Sequence, residues 1–272
     1  MKIYYFSGTG NSLAVGKDIA ERLNASLIPA INTVDEEVIE IEDEVVGFVF
    51  PVYAFKPPPV FQDLIKKIEN IQQKYLFAVC TYGITPSHCL KYFAKKIKYS
   101  GGTLSGGFAA AMPHNVFDSN WINHNDLEKL INNWKIKLDF ISDYIDNRRE
   151  GKIESAFILK DLFRTEIIRM IPVVKDMVVQ VIMKGSESLA FSVSENCNGC
   201  GICECICPGD NIRLIDNFPC WLDHCLGCLA CMHWCPQHAV NMGNGEFSIK
   251  CYHHPVIAVS EMVLKDKLNN RT

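Results

Sequence analysis

The chain has 272 residues, 48% of them hydrophobic, which leaves room for two domains with apolar cores. A formal net charge of -4 argues against a nucleic-acid-binding surface. The most apolar stretch, Ile167 to Met183, is interrupted by Arg169, Pro172, Lys175 and Asp176, so it is not a membrane span.

The first 150 residues alternate strand and helix signals. Ile3 to Phe6 is a short apolar run that ends in a Gly-rich turn, and Ser12 to Leu23 has helical spacing. Ser26 to Ile31 reads as a second strand. Val45 to Val52 is almost continuously apolar, as a strand buried on both faces should be. Pro57-Pro58-Pro59 opens a helix through Ile68, Tyr75 to Thr81 is a fourth strand, and a helix follows over Ser87 to Ile97. Thr103 to Ala111 is a fifth strand, and Asn120 to Ile145 a long amphipathic helix. This alternation predicts an α/β domain over residues 1–150, with a parallel sheet covered on both faces. Five strands suit the doubly wound, flavodoxin-like order 2-1-3-4-5, with a ligand crevice beyond the carboxyl ends of the strands.

Between strand one and its helix lies Ser7-Gly8-Thr9-Gly10-Asn11-Ser12. Backbone N–H groups at such a turn form an anion cradle, to which Ser7, Thr9, Ser12 and Asn11 add side-chain donors. With no basic side chain in the loop, it fits a phosphate monoester such as that of FMN. It lacks the Lys-Ser/Thr ending of a nucleoside-triphosphate loop, and Leu13 stands where a dinucleotide fingerprint needs a third glycine.

Residues 151–190 read as a connector with partly helical apolar spacing (Phe157, Leu159, Leu162, Phe163, Ile167, Ile168, Ile171), interrupted at Pro172. Residues 191–250 form a second, α+β domain, and 251–272 a tail with an apolar segment from Val256 to Leu264. The second domain is acidic: only Arg213 and Lys250 oppose six carboxylates, which favours redox partner proteins with a basic face.

Cys197, Cys200, Cys203 and Cys207, followed by Pro208, make C-x2-C-x2-C-x3-C-P, and Cys225, Cys228, Cys231 and Cys235, followed by Pro236, repeat it. This is the sequence form of a ferredoxin module with two [4Fe–4S] clusters, in which the fourth cysteine of each run serves the other cluster. The expected sets are Cys197, Cys200, Cys203 with Cys235, and Cys225, Cys228, Cys231 with Cys207. A zinc site would more often use two separated C-x2-C pairs. A disulfide framework needs an oxidising compartment, whereas the expected location is the cytoplasm. Cys80 and Cys89 read as core residues, while Cys205, Cys220 and Cys251 are unassigned; Cys205 replaces Cys203 or Cys207 only if the loop changes register. Phe191, Ile212, Ala239 and Val240 are expected as apolar cover over the clusters.

Taken together, Ser7 to Ser12, Pro51-Val52-Tyr53, Met112-Pro113-His114-Asn115 and both cysteine runs resemble the flavodoxin–ferredoxin fusion proteins of anaerobic microbes. The resemblance implies a bound FMN flanked by the loops after strands three and four: Pro51, Val52, Tyr53, Ala54 and Phe55 in one, Thr81, Tyr82 and Gly83 in the other. It places Tyr53 and Tyr82 near the ring, with Gly83 admitting backbone to its N5 edge. The segment after strand five should emerge in the same crevice, where Asn115 could bond the ring edge and His114 could supply a proton near neutral pH. The expected function is soluble low-potential electron transfer, coupling one- and two-electron steps of FMN to two [4Fe–4S] clusters. The alternative is a ferredoxin-linked flavin-dependent reductase acting on a small-molecule acceptor.

Overall fold

The computed structural model describes residues 1–115, 124–156, 191–243 and 251–263. By their contacts these fall into two units: residues 1–7, 11–114 and 124–156 in the first, and 8–10, 115, 191–243 and 251–263 in the second.

The first unit contains β1 (Lys2–Tyr5), α1 (Asn11–Arg22), β2 (Ser26–Pro29), β3 (Val45–Pro51), α2 (Pro59–Lys67), β4 (Tyr75–Tyr82), α3 (Cys89–Tyr99), β5 (Leu104–Ala111), α4 (His124–Asp146) and β6 (Lys152–Ile153). The strands form one parallel sheet in the order β2-β1-β3-β4-β5-β6. This is the expected doubly wound, flavodoxin-like α/β arrangement with one strand added.

The central strands are apolar on both sides because both faces of the sheet are covered. On one face Val49, Phe77, Val79 and Phe108 pack with Val15 and Ile19 of α1 and with Trp134, Leu138, Ile141 and Ile145 of α4. The α4 residues recur every three or four positions, as one buried helical stripe requires. On the other face Phe48 and Phe50 meet Phe61 of α2 and Phe93 of α3, with ring centroids between 4.9 and 6.2 Å apart. All four rings are fully buried, each stabilising the fold by about 1.5–3 kcal/mol. Pro59 begins α2, where its missing N–H costs no hydrogen bond.

Two departures from the sequence expectation have local causes. The second strand ends at Pro29 rather than Ile31, because Ala30–Thr33 curls into a 3₁₀ turn closed by Thr33 Oγ1 donating to Ala30 O at 2.8 Å. The sheet gains β6, whose Lys152 and Ile153 pair with Gly106 and Gly107 of β5. Beyond that short ladder, side chains continue the pairing: Ala109 N donates to Glu154 Oε2 at 2.8 Å, and Lys137 Nζ bonds both Ala109 O (2.7 Å) and the same carboxylate (2.6 Å).

The second unit contains β7 (Phe191–Val193), α5 (Ile202–Cys205), β8 (Ile212–Ile215), β9 (Phe218–Trp221), α6 (Ala230–His233), β10 (Val240–Met242) and α7 (Val259–Met262). Strand β7 pairs antiparallel with β10, and β8 with β9 across a turn whose Asp216 and Asn217 have φ of 50° and 66°. The two cysteine runs adopt the same backbone path. Gly199 and Gly227 share positive φ (68° and 65°), as do Gly201 and Leu229 (74° and 59°) and Asp210 and His238 (52° and 48°). After each fourth cysteine a backbone N–H turns back onto its sulfur: Asn211 N on Cys207 Sγ at 3.2 Å, Ala239 N on Cys235 Sγ at 3.3 Å. The repeat is therefore structural as well as sequential.

The expected connector lies outside the described residues from position 157 onward, as do positions 120–123 of the long helix, 244–250 of the second domain and 264–272 of the tail. Within the tail, Ile257 and Met262 are buried while Val256 is exposed.

Candidate functional site

The cysteines of the second unit line two cavities of similar size. One, with an empty volume of about 330 Å³, is walled by Cys197, Cys200, Cys203 and Cys235, with Leu214, Pro219 and Val240 as apolar cover. The other, of about 310 Å³, is walled by Cys207, Cys225, Cys228 and Cys231, with Phe191, Ile212 and Trp221. Each cavity thus takes three cysteines from one run and the fourth from the other. Cys205, Cys220 and Cys251 line neither; Cys251 Sγ instead faces Met232 O at 3.4 Å. Among the expected cover residues, Phe191, Ile212 and Val240 sit on the walls, while buried Ala239 contributes its N–H to Cys235.

Among the described residues, no three His, Cys, Asp or Glu side chains converge on a single-ion position. Four thiols line each cavity, the number that a [4Fe–4S] cluster takes. Burial pushes the Cys203 thiol up to about 11 and Cys228 up to about 12, and raises Cys225 and Cys231 as well. Such thiols stay protonated until a metal takes the proton's place. The donors are soft and the walls apolar, so residues and cavities fit an iron–sulfur cluster.

In the first unit, the expected ligand loops emerge at the carboxyl ends of the strands. At the start of α1, Ser12 Oγ pairs with Thr81 Oγ1 at 2.7 Å, and Asn11 Nδ2 donates to Pro113 O at 3.1 Å. These bonds tie the turn after β1 to the ends of β4 and β5. Asn11, Ser12 and Thr81 are buried. The 12-residue α1 directs its N-terminus to the turn, and no carboxylate lies in its first turn. With those side chains engaged within the protein, the backbone N–H groups at the start of α1 are the donors that fit a phosphate group.

After β3, Val52 N donates to Thr81 O at 2.9 Å, and a tight turn returns Tyr53 and Lys56 onto each other through two backbone bonds. Ala54 and Phe55 at its tip have positive φ (44° and 67°), and Phe55 is exposed. The Tyr53 ring meets Phe6 edge-on at 6.2 Å. Pro51 and Tyr82, at the ends of β3 and β4, are half-buried, while Gly83 is exposed.

Gly83 has a role that spacing alone did not reveal. A Cβ there would lie 2.5 Å from Cδ2 of His114 and 2.9 Å from its Cβ, so the missing side chain gives the imidazole its place. Burial there lowers the His114 pKa to about 4. At that value the uncharged form of the ring prevails at pH 7.

The remaining loop residues, Gly8–Gly10 and Asn115, belong to the second unit. Trp234 Nε1 donates to Gly8 O at 3.0 Å, His254 N to Thr9 O at 2.8 Å, and Asn115 Nδ2 to Thr9 Oγ1 at 3.3 Å. A Cβ on Gly8 would stand 2.3 Å from the carbonyl oxygen of Cys228, so this glycine is required by close backbone packing. Trp234 itself is held by a stack on His253 at 4.3 Å.

No protein-family model matches the chain, and no curated protein matches it. Among solved structures it is similar to the two-electron reduced flavodoxin of Megasphaera elsdenii, with 18% identity over 40% of this chain and 83% of that one, at a TM-score of 0.31. It is also similar to a flavodoxin from the domain Archaea, with 18% identity, 54% and 99% coverage and a TM-score of 0.35. A third is an FMN-dependent NADH-azoreductase from Bacillus anthracis, with 10% identity, 53% and 99% coverage and a TM-score of 0.37. Among the described residues no helix is long and apolar enough to cross a membrane.

Proposed function

We propose that this protein is an electron-transfer protein that binds FMN in its first 150 residues and two [4Fe–4S] clusters in residues 191–250. The observation that carries the reading is the pair of cavities, each walled by four cysteines in the crossed combination that a two-cluster ferredoxin requires. Each thiolate would meet one iron, and the apolar cover would limit water access and set the dielectric around the cluster. The Gly-rich turn supports the FMN part: Ser7, Gly8, Thr9, Gly10, Asn11 and Ser12 would hold the phosphate through backbone N–H groups and hydroxyls. Pro51 to Phe55, with Thr81, Tyr82 and Gly83, would border the ring. The flavin supplies exchange between one- and two-electron chemistry, and the clusters supply single-electron transfer. Cytoplasmic location and a basic-faced redox protein as partner belong to the same proposal.

Anaerobic reconstitution with iron, sulfide and FMN tests it. The expected result is about eight irons per chain, one flavin, and reduction of both kinds of centre by a low-potential donor. Zinc in place of iron, or failure to retain flavin, refutes the corresponding half. Steady-state turnover of small acceptors separates a carrier from the alternative reductase.

A further inference from the structure

The likeness of the two cysteine runs makes their differences informative. Position for position, the second run follows the first by a fixed offset: Cys197 corresponds to Cys225, Cys207 to Cys235, Ile212 to Val240. By the same correspondence Asn211 matches Ala239. Both donate a backbone N–H to the preceding fourth cysteine, so the main chain treats the two cavities alike at this point. Their side chains do not.

Asn211 is 1% exposed and lies on the wall of the Cys207–Cys225–Cys228–Cys231 cavity. Its Oδ1 accepts from His224 N at 2.8 Å, which orients the amide. Its Nδ2, also buried, has no hydrogen-bond partner among the described residues. Trp221 lines the same cavity with a second buried donor, Nε1, whose one neighbour of hydrogen-bonding character among the described residues is the Cys231 thiol. Its ring is fixed by stacking on Phe191, centroids 5.5 Å apart and planes 17° apart. Two fixed, desolvated N–H donors on one wall are costly unless something there accepts from them. Among the described residues the twin cavity shows no counterpart: its wall carries Leu214, Pro219 and Val240, and its polar members Asn198 and Gln237 are otherwise disposed. Asn198 Oδ1 accepts from Cys200 N at 3.3 Å, and Gln237 is exposed.

We infer that Trp221 and Asn211 are redox-tuning residues, whose side-chain N–H groups stabilise added negative charge in the Cys207–Cys225–Cys228–Cys231 centre and leave its twin untouched. The inference rests on the reading that both cavities hold iron–sulfur clusters. Taking up one electron from an external low-potential donor raises the centre's negative charge by one, with no bond made or broken. Hydrogen bonds to the sulfurs strengthen as that charge grows, so they favour the reduced state and raise the potential. This matters most where solvent cannot do the same. Cys207, Cys228 and Cys231 are buried, whereas Cys200 of the twin set is exposed. The two donors thus offset the desolvation that would otherwise drive the enclosed centre to lower potential.

The test is an anaerobic redox titration of the fully reconstituted chain, followed by electron paramagnetic resonance. Trp221→Phe keeps the stack and removes the donor; Asn211→Ala installs the residue its twin already tolerates. A Cys231→Ser chain assigns the signals. Each donor removed should lower the reduced-to-oxidised ratio of the assigned centre about tenfold at a fixed poise, a shift of about 59 mV for one electron. The other centre should not move, and each variant should retain its full complement of iron. Unchanged potentials in iron-replete variants overturn the inference, as does an equal shift of both centres. Loss of iron from that quartet also overturns it, because the residues would then be structural. If the unaltered chain itself takes up no iron, it is the underlying cluster reading that fails.

Discussion

His114 offers a measurement that reads the crevice without any cofactor. Its imidazole sits against Gly83, and burial lowers its pKa from 6.5 to about 4. The unfolded chain therefore binds a proton at higher pH than the folded one. Between those two values the unfolded state carries more protons, so stability rises with pH across that window and falls as the solution is acidified. From pH 7 to pH 5 the group should cost about 2 kcal/mol, and the full penalty below pH 4 approaches about 3 kcal/mol. The comparison is urea denaturation of the wild-type chain and of His114→Asn at pH 7 and pH 5, with all else held constant. The variant lacks the titrating ring, so its loss on acidification should be smaller than the wild type's by about 2 kcal/mol. Direct titration of the imidazole by nuclear magnetic resonance gives the same answer independently. Equal acid sensitivity of the two proteins, or a His114 that titrates near 6.5, refutes the buried neutral ring.

Three further outcomes follow from particular contacts. On the proposed crossed assignment, Cys235→Ala should disable the cluster of Cys197, Cys200 and Cys203 while leaving about four irons with the Cys225 run; loss of iron from the Cys225 run instead would refute that assignment. Gly83→Ala should destabilise the fold by about 1–3 kcal/mol, because its Cβ must displace the His114 ring. Most of that penalty should vanish in a His114→Ala background, as denaturation of the four proteins of the cycle will show. Glu154→Ala should cost about 2 kcal/mol in thermal or urea unfolding, since it strips the Ala109 N–H and the Lys137 ammonium of a shared acceptor. Replacing Lys137 by Met as well should recover part of this loss.

What the sequence could foretell depended on whether the signal was local. Val45–Pro51 and Tyr75–Tyr82 announced themselves as interior strands because a strand covered on both faces must be apolar throughout. The cysteine quartets were legible for a different reason: the runs repeat residue type and spacing together. Strand β6 gave no such signal. Lys152 and Ile153 show no periodicity, and they pair with β5 through help from Tyr144 Oη, which accepts from Lys152 N at 3.0 Å, and from the Glu154 carboxylate. Those are tertiary contacts that a linear pattern does not encode. Gly83 was singled out as open backbone beside a flavin, yet its nearest neighbour is His114, 31 positions later in the chain. For Asn211 the clue was present but needed the alignment of two runs. Only the Asn211–Ala239 difference within an otherwise matched pair marks the side chain as more than filler.

The crossed quartets also constrain how the second unit assembles. Neither cysteine run can complete a cavity with its own residues, since Cys207 and Cys235 each stand in the other's wall. Buried, protonated thiols gain little from gathering in one place, so on the proposed reading a bound cluster would supply much of the energy that holds them there. Loading one cavity would fix residues from both runs. On that reading folding and cluster insertion proceed as one coupled event. The hydrophobic cluster of this unit is built from the same neighbourhood: Cys207 and Cys231 sit in it beside Ile212, Leu229, Met232 and Val240. The core of the module and the walls of its two cavities share these side chains.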